Sequence, residues 1–263
     1  MKNLTLLYPT DFSDFSRQTL ENILPLIKNH NNKLILLHAA SHTKANETAD
    51  RVRISESFTE FTESLGGLGD IDYETRWHFG ISSEVIVREA DHVEIDLIVM
   101  GTKGAKGWDR LWGSKTEAVV RQSITPVLVI PEGASIHEIQ SIVLAMDYDQ
   151  PLEETRLHLL KRIAGDLETE IDVLNVLHRE SELSRPEKRR RKMLKNYLYD
   201  LPHRFSSHFE DEVSEGLTKY AEEQEAGLIA VMPRSYGFLE RVFTESISQK
   251  MVYQSKLPLL ILV

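Results

Sequence analysis

The stretch MGTKGAKGWDRLWGSKTE, from Met100 to Glu117, holds four glycines and three lysines directly behind the strand-like run Leu97-Ile98-Val99. Ser114 followed three residues later by Glu117 is a capping box, which marks a helix start. The glycines therefore stand between a strand end and a helix N-terminus, where free backbone N–H groups and the helix dipole favour an anion. Gly101, Gly104 and Gly113 would let the backbone come close to phosphate oxygens, with Ser114 and Thr116 hydroxyls as donors. Lys103, Lys106 and Lys115 supply positive charge. The stretch is not a Walker A loop, because no Gly-Lys-Ser/Thr follows at the required spacing, and no G-x-G-x-x-G occurs in the chain. A phosphate cradle and a plain strand-to-helix turn both fit these residues.

The elements that must position this stretch come in two sets. LTLLYPTDFSDFS opens the first half and SIVLAMDYDQPLE the second, each an apolar run ending in an acid, Asp11 or Asp147. His38 and Asn175 follow those acids by 27 and 28 residues, DLIVMGTKG parallels GLIAVMPRS, and TPVLVIP parallels LPLLILV. Ser114 precedes Pro126 by twelve residues, as Ser246 precedes Pro258. Matches in this order point to duplication. The expected domains are 1–132 and 138–263, joined by PEGASIHE.

Within each half, continuous Val/Ile/Leu runs alternate with helical periodicity, the mark of a parallel sheet covered on both faces. Phe15, Leu20, Ile23, Leu24 and Ile27 share one helix face, which Pro25 should kink. Leu157, Leu160, Ile163 and Ala164 share another, with Asp149 and Pro151 as its expected cap and first turn. After the second strand the halves diverge. The first has a polar stretch and an amphipathic run with Val52, Phe58, Phe61 and Leu65. The second has SRPEKRRRKMLKNYLYD, with Ser184 as cap, Pro186 in the first turn, and Met193, Leu194, Tyr197 and Leu198 facing inward. Its basic run Lys188–Lys192 could bind an acidic partner or nucleic acid, and reads first as a solvated helix face.

Composition narrows the function. A net charge of −10 argues against a nucleic-acid binder, and the lack of cysteine removes disulfides and thiolate chemistry. No run approaches twenty apolar residues, and the first residues carry no signal-peptide cleavage pattern, so a cytoplasmic protein away from membranes is expected. Neither G-x-S-x-G nor H-E-x-x-H occurs, and S-G-G-x-D and H-x-G-H are likewise missing, so no enzyme is expected. His203, His208, Glu210 and Asp211 read as surface polar residues rather than metal ligands, and His38 as a hydrogen-bonded structural histidine.

The chain resembles a tandem universal stress protein of the UspA family over nearly its whole length. The resemblance rests on YPTDFSDFS, LLHAA, DLIVMGTKGAKG with GSKTE, and TPVLVIP. It implies two tandem doubly wound α/β domains, each a mainly parallel five-stranded sheet with helices on both faces, of the adenine-nucleotide alpha-hydrolase-like kind. The family's nucleotide-binding branch holds ATP, here expected with Mg2+, by a motif G-x2-G-x9-G-(S/T). Carried over, Asp11 would contact the base or ribose, with Pro9, Thr10 and Ala39 on that side and Met100 and Gly101 on the other. Gly104, Gly113, Ser114 and Thr116 would hold phosphates, although only eight residues, Ala105 to Trp112, separate the last two glycines.

In the second half Ser246 and Gln249 keep the cap, but Met232 replaces Gly101, Ser235 falls near Gly104 and Glu245 replaces Gly113. A carboxylate there occupies the dipole's anion site itself, so no nucleotide is expected in that domain. The family's dimers pair their closing strands, implying an intramolecular pseudo-dimer through PVLVI and LLILV, with homodimers of the whole chain beyond it. The implied role is a stress-response module whose nucleotide state regulates its interactions. A nucleotide-independent interaction protein and a weak ATPase are the rival readings.

Overall fold

Leu6, Leu7 and Tyr8, three apolar residues in a row, are each at most 1% exposed. Burial of consecutive residues marks a strand covered on both faces. They form β1 (Thr5–Pro9) of the computed structural model, which describes residues 3–28, 32–41, 47–66, 68–92, 94–103, 114–136, 139–149, 151–177, 182–232 and 257–263. The described residues make two compact units, one up to Glu132 and one from Gly133.

The first unit runs β1, α1 (Asp14–Lys28), β2 (Lys33–Ala40), α2 (Glu47–Ser64), β3 (Tyr73–Phe79), α3 (Ser82–His92), β4 (Leu97–Thr102), α4 (Ser114–Gln122) and β5 (Val127–Pro131). Its strands lie in the order β3-β2-β1-β4-β5, every pair parallel. The second runs β6 (Ser141–Ala145), α5 (Glu154–Asp166), β7 (Glu170–Leu177), α6 (Arg185–Tyr197), β8 (His203–Phe209), α7 (Val213–Glu223), β9 (Leu228–Val231) and β10 (Leu259–Ile261). Its order, β8-β7-β6-β9-β10, repeats the first, again with every pair parallel. The expected pair of doubly wound five-stranded α/β sheets is the observed fold.

Register assigns the helices of the first unit to faces. Residues level with one another in a parallel sheet point to the same side, and Arg76, Leu37, Pro9 and Met100 lie level across β3-β2-β1-β4. Arg76 and His78 reach Glu89 of α3, and α3 packs on α4, so α3 and α4 cover that face. Trp77 points the other way, under Arg51 of α2 at 5.6 Å, and Gly101 meets α1.

Four local expectations need correction. The α1 face buries Leu26 in place of Phe15 and Leu24, and Pro25 lies inside the unbroken helix. In α2 the residue turned inward is Ile54, at 3% exposure, while Val52 is 54% exposed. In α6, Leu194 and Leu198 are buried but Met193 is 44% exposed, because a helix advancing 100° per residue carries it round to the flank. Helix α5 starts only at Glu154, with Glu153 at the N-cap position and no side-chain bond from it to the first turn. Asp149 lies four residues before that position and belongs instead to the preceding turn, its N–H donating to Asp147 Oδ1 at 2.8 Å and its carbonyl accepting from Arg190 Nη2 at 2.9 Å. Ser184 caps α6 with Pro186 in the first turn, as expected, and Glu187 completes a capping box.

In each unit a buried acid ties the third strand to the helix after it. In the first, Glu89 accepts from Arg76 and from His78 Nε2, the latter at 2.9 Å. In the second, Asp172 on β7 is fully buried and accepts from Arg204 Nε (2.8 Å), Ser206 Oγ (2.7 Å) and Tyr220 OH (2.7 Å). Bonding to Asp172 raises the Arg204 guanidinium above its ordinary pKa. Asp172→Ala strands these donors and should lower unfolding stability by about 2–3 kcal/mol in urea titration, with Asp172→Asn losing less.

Candidate functional site

The order β3-β2-β1-β4-β5 reverses the direction of winding between β1 and β4, and ligands of such sheets sit outside the carboxyl ends at that point. The chain leaves β1 through Thr10, whose N–H donates to Leu37 O at 2.8 Å, continuing the ladder one residue past the strand. Tyr8 OH donates to Ser16 O at 2.7 Å, and Ser16 Oγ to Thr10 Oγ1 at 2.9 Å, tying the strand end to the first turn of α1. Burial pushes the Tyr8 phenol far above its ordinary pKa, so it stays a donor.

Next comes a tight turn. Phe12 N–H donates to Thr10 Oγ1 at 3.0 Å and Ser13 N–H to Asp11 Oδ1 at 3.1 Å. Phe12 has φ of +61°, a left-handed conformation uncommon for a bulky residue. Its ring stacks on His38 (4.5 Å between centroids) and meets Phe58 and Phe61 edge-on. His38 Nδ1 lies 2.9 Å from Thr10 O, and a carbonyl only accepts, so Nδ1 carries the proton. The histidine is thus a strand-end clamp. The turn leaves the Asp11 carboxylate exposed. Crowding by the chain pushes that carboxyl up, but the Ser13 hydroxyl and N–H, its own N–H and the Lys115 charge together hold it below the ordinary carboxylate value. Lys115 in the first turn of α4 is therefore within electrostatic reach of the β1 end.

On the other side stands β4. Met100 is buried and Gly101 half-buried, level with Pro9 and Thr10. A Cβ on Gly101 would lie 2.8 Å from Thr19 Oγ1 and 2.9 Å from Phe15 Cε1, so close approach of α1 requires glycine here. Lys103 Nζ sits 5.1 Å above the same Phe15 ring. Thr102 points to the α3/α4 face, and its buried Oγ1 has no hydrogen-bond partner among the described residues.

The universal stress protein family model matches residues 3–131, the segment that builds this site. Residues 3–131 therefore belong to the universal stress protein family. A universal stress protein of Synechocystis is 29% identical over 133 residues, covering 48% of this chain and 85% of its own length. One of Methanocaldococcus jannaschii is 27% identical over 150 residues, 48% of this chain and 93% of that protein. The crystal structure of a universal stress protein from Archaeoglobus fulgidus aligns with 99% of this chain and 98% of its own, at a TM-score of 0.76 and 19% identity. The likeness of fold thus runs through both halves.

Within this universal stress protein domain, Pro9, Thr10, Asp11, Met100 and Gly101 meet at the carboxyl ends of adjacent strands, with half-buried Ala39 at the end of β2. Ser114 opens α4 as expected, and Thr116 is buried at 3% exposure. Gly104, Gly113, Trp108 and Trp112 lie outside the described residues, as do Ser235, Glu245, Ser246 and Gln249 of the second half. The second half repeats the first turn: Met146 N–H donates to Leu174 O and Asp149 N–H to Asp147 Oδ1, both at 2.8 Å. Tyr148 takes the place of Phe12, and burial raises its phenol to about 12, against the pull of Arg191. His203 and His208 fall on opposite faces of β8, and Glu210 pairs with Lys219 at 2.6 Å. Sequence reading passed over Phe12. The signal was present, since one aromatic between Asp11 and Ser13 in a polar turn has to be housed somewhere.

Gly101→Ala should cost about 1–2 kcal/mol through contact with Phe15 and Thr19. Phe15→Leu in the same chain should recover part of that loss in thermal or urea unfolding, with strict additivity as the contrary result.

Proposed function

We propose that residues 1–132 form an adenine-nucleotide binding domain, taking ATP with Mg2+, and that residues 138–263 form a copy that binds none. Nucleotide occupancy biases interactions made elsewhere on the protein, and any hydrolysis is slow and incidental. The observation that carries this reading is the convergence of the β1 end, the β4 end and the α4 start where the winding of the sheet reverses. The residues fit a phosphorylated ligand. Thr102 Oγ1 is a buried hydroxyl without a partner among the described residues, and Lys115 brings a cation to the mouth of the site. The exposed Asp11 carboxylate accepts hydrogen bonds, as a ribose or an adenine amino group would require. Asp11 with Pro9, Thr10 and Ala39 would take the nucleoside, Met100 and Gly101 the facing side, and Gly104, Gly113, Ser114 and Thr116 the phosphates. The bound nucleotide would supply a polyanion matched to the α4 dipole. In the second domain Met232, directly after β9, stands where Gly101 follows Met100, which supports its loss of binding.

One observation favours the rival, a nucleotide-independent interaction protein. Gly101 already has a packing reason in Phe15 and Thr19. Calorimetry with ATP decides between them, together with analysis of nucleotide released on denaturation. The full chain should bind about one ATP, with a change in tryptophan emission, since Trp108 and Trp112 lie between the glycines. Asp11→Ala should weaken binding about tenfold and Gly113→Glu should abolish it. No heat at millimolar ATP would support the rival, and undiminished affinity in Gly113→Glu would overturn the phosphate assignment.

A further inference from the structure

Helix α6 carries seven cations against the single carboxylate of Glu187, a net +6 in a chain of −10, which leaves −16 elsewhere. The fold does not demand this. Helix α2, which joins the same two strands in the first unit, has two cations and five carboxylates. Lys188 pairs with Glu182 at 3.2 Å, and the other six cations of α6 divide into two sets. Arg190 and Arg191 turn toward the domain, one donating to Asp149 O at 2.9 Å, the other lying over the Phe205 ring at 5.0 Å. Arg185, Arg189, Lys192 and Lys195 turn outward, all exposed, and have no ion-pair or hydrogen-bond partner among the described residues. Their spacing puts them along one face over about 15 Å. Exposed Met193 (44%) and Tyr199 (79%) flank the stripe.

We propose that this outward face of α6 docks an acidic segment of a partner protein, one that presents carboxylates at about one-turn spacing. The stripe is one helix wide and bordered by acid. Tyr197 OH donates to Glu154 O of α5, which brings that acidic helix start alongside, and Asp200 and Glu182 stand beyond the two ends of α6. A nucleic-acid duplex, broader than one helix, would meet those carboxylates. A membrane would find no apolar face to take up, because Leu194 and Leu198 are buried in the domain. Arginine, tyrosine and methionine together are the composition of protein–protein contact surfaces.

Fluorescence anisotropy of the full chain tests this with a labelled glutamate-rich helical peptide, acidic at i, i+4 and i+7, beside a labelled oligouridylate of equal charge. The peptide should bind, weaken as salt rises, and bind about tenfold or more weakly to Arg185→Glu/Arg189→Glu/Lys192→Glu. That variant leaves the capping box, Arg190 and Arg191 in place, so its circular dichroism and melting temperature should match the parent. The milder pair Arg189→Gln and Lys192→Gln gives the same readout with a smaller change. Undiminished affinity in either variant, no peptide binding at low salt, or tighter binding of the oligouridylate would overturn the proposal.

Discussion

A parallel strand cannot pair with its neighbour without first crossing back over the sheet, and the segment that crosses must cover a face. Both units obey this constraint in the same way. β1 and β6 lie at the centre of their units, and in the first unit two crossovers wind outward on one side and two return on the other. Everything at the candidate site follows from it. Successive crossovers leave β1 and β4 in opposite directions, which opens a gap between their carboxyl ends. Thr10, Asp11 and Gly101 stand at its rim. The strand cores tolerate little else: Leu34 to Leu37, Leu97 to Val99 and Val127 to Ile130 are each at most 1% exposed.

The units differ in how they hold the edge of this arrangement. Glu89 lies on a helix and draws two strand side chains toward it. Asp172 lies within the sheet and draws Tyr220 down from the helix. In both, the acid is surrounded by donors, which makes burial of its charge tolerable. These are two chemically distinct solutions to joining a helix to the outermost strand, and they show that the copies have diverged in the core as well as in the loops.

Much of the fold was legible because its signal is repeated. Apolar runs at matched intervals, with Asp11 and Asp147 at equivalent strand ends, give the duplicated topology without reference to any contact. Ser184, Glu187 and Pro186 give the start of α6 because capping is local chemistry. What stayed hidden was tertiary. Asp149 looks like a cap, yet it is held in the turn after β6 by Asp147 and Arg190, and the helix starts only at Glu154. Val52 and Met193 fit an apolar pattern, yet both are exposed, the inward positions of their helices being taken by Ile54 and by Leu194 with Leu198. At the site, Gly101 looked like a glycine kept for a ligand, and Phe15 gives it an independent steric reason. The left-handed Phe12 depends on Phe58 and Phe61, distant in sequence, and no local pattern announces that.

The division of labour within α6 has an evolutionary meaning. The residues that anchor the helix are Leu194, Leu198, Arg190 and Arg191, and none of them belongs to the outward stripe. Drift at Arg185, Arg189, Lys192 and Lys195 is therefore nearly free of folding cost. Surface charge on this helix can be rewritten in few mutational steps, while the domain beneath it keeps its shape.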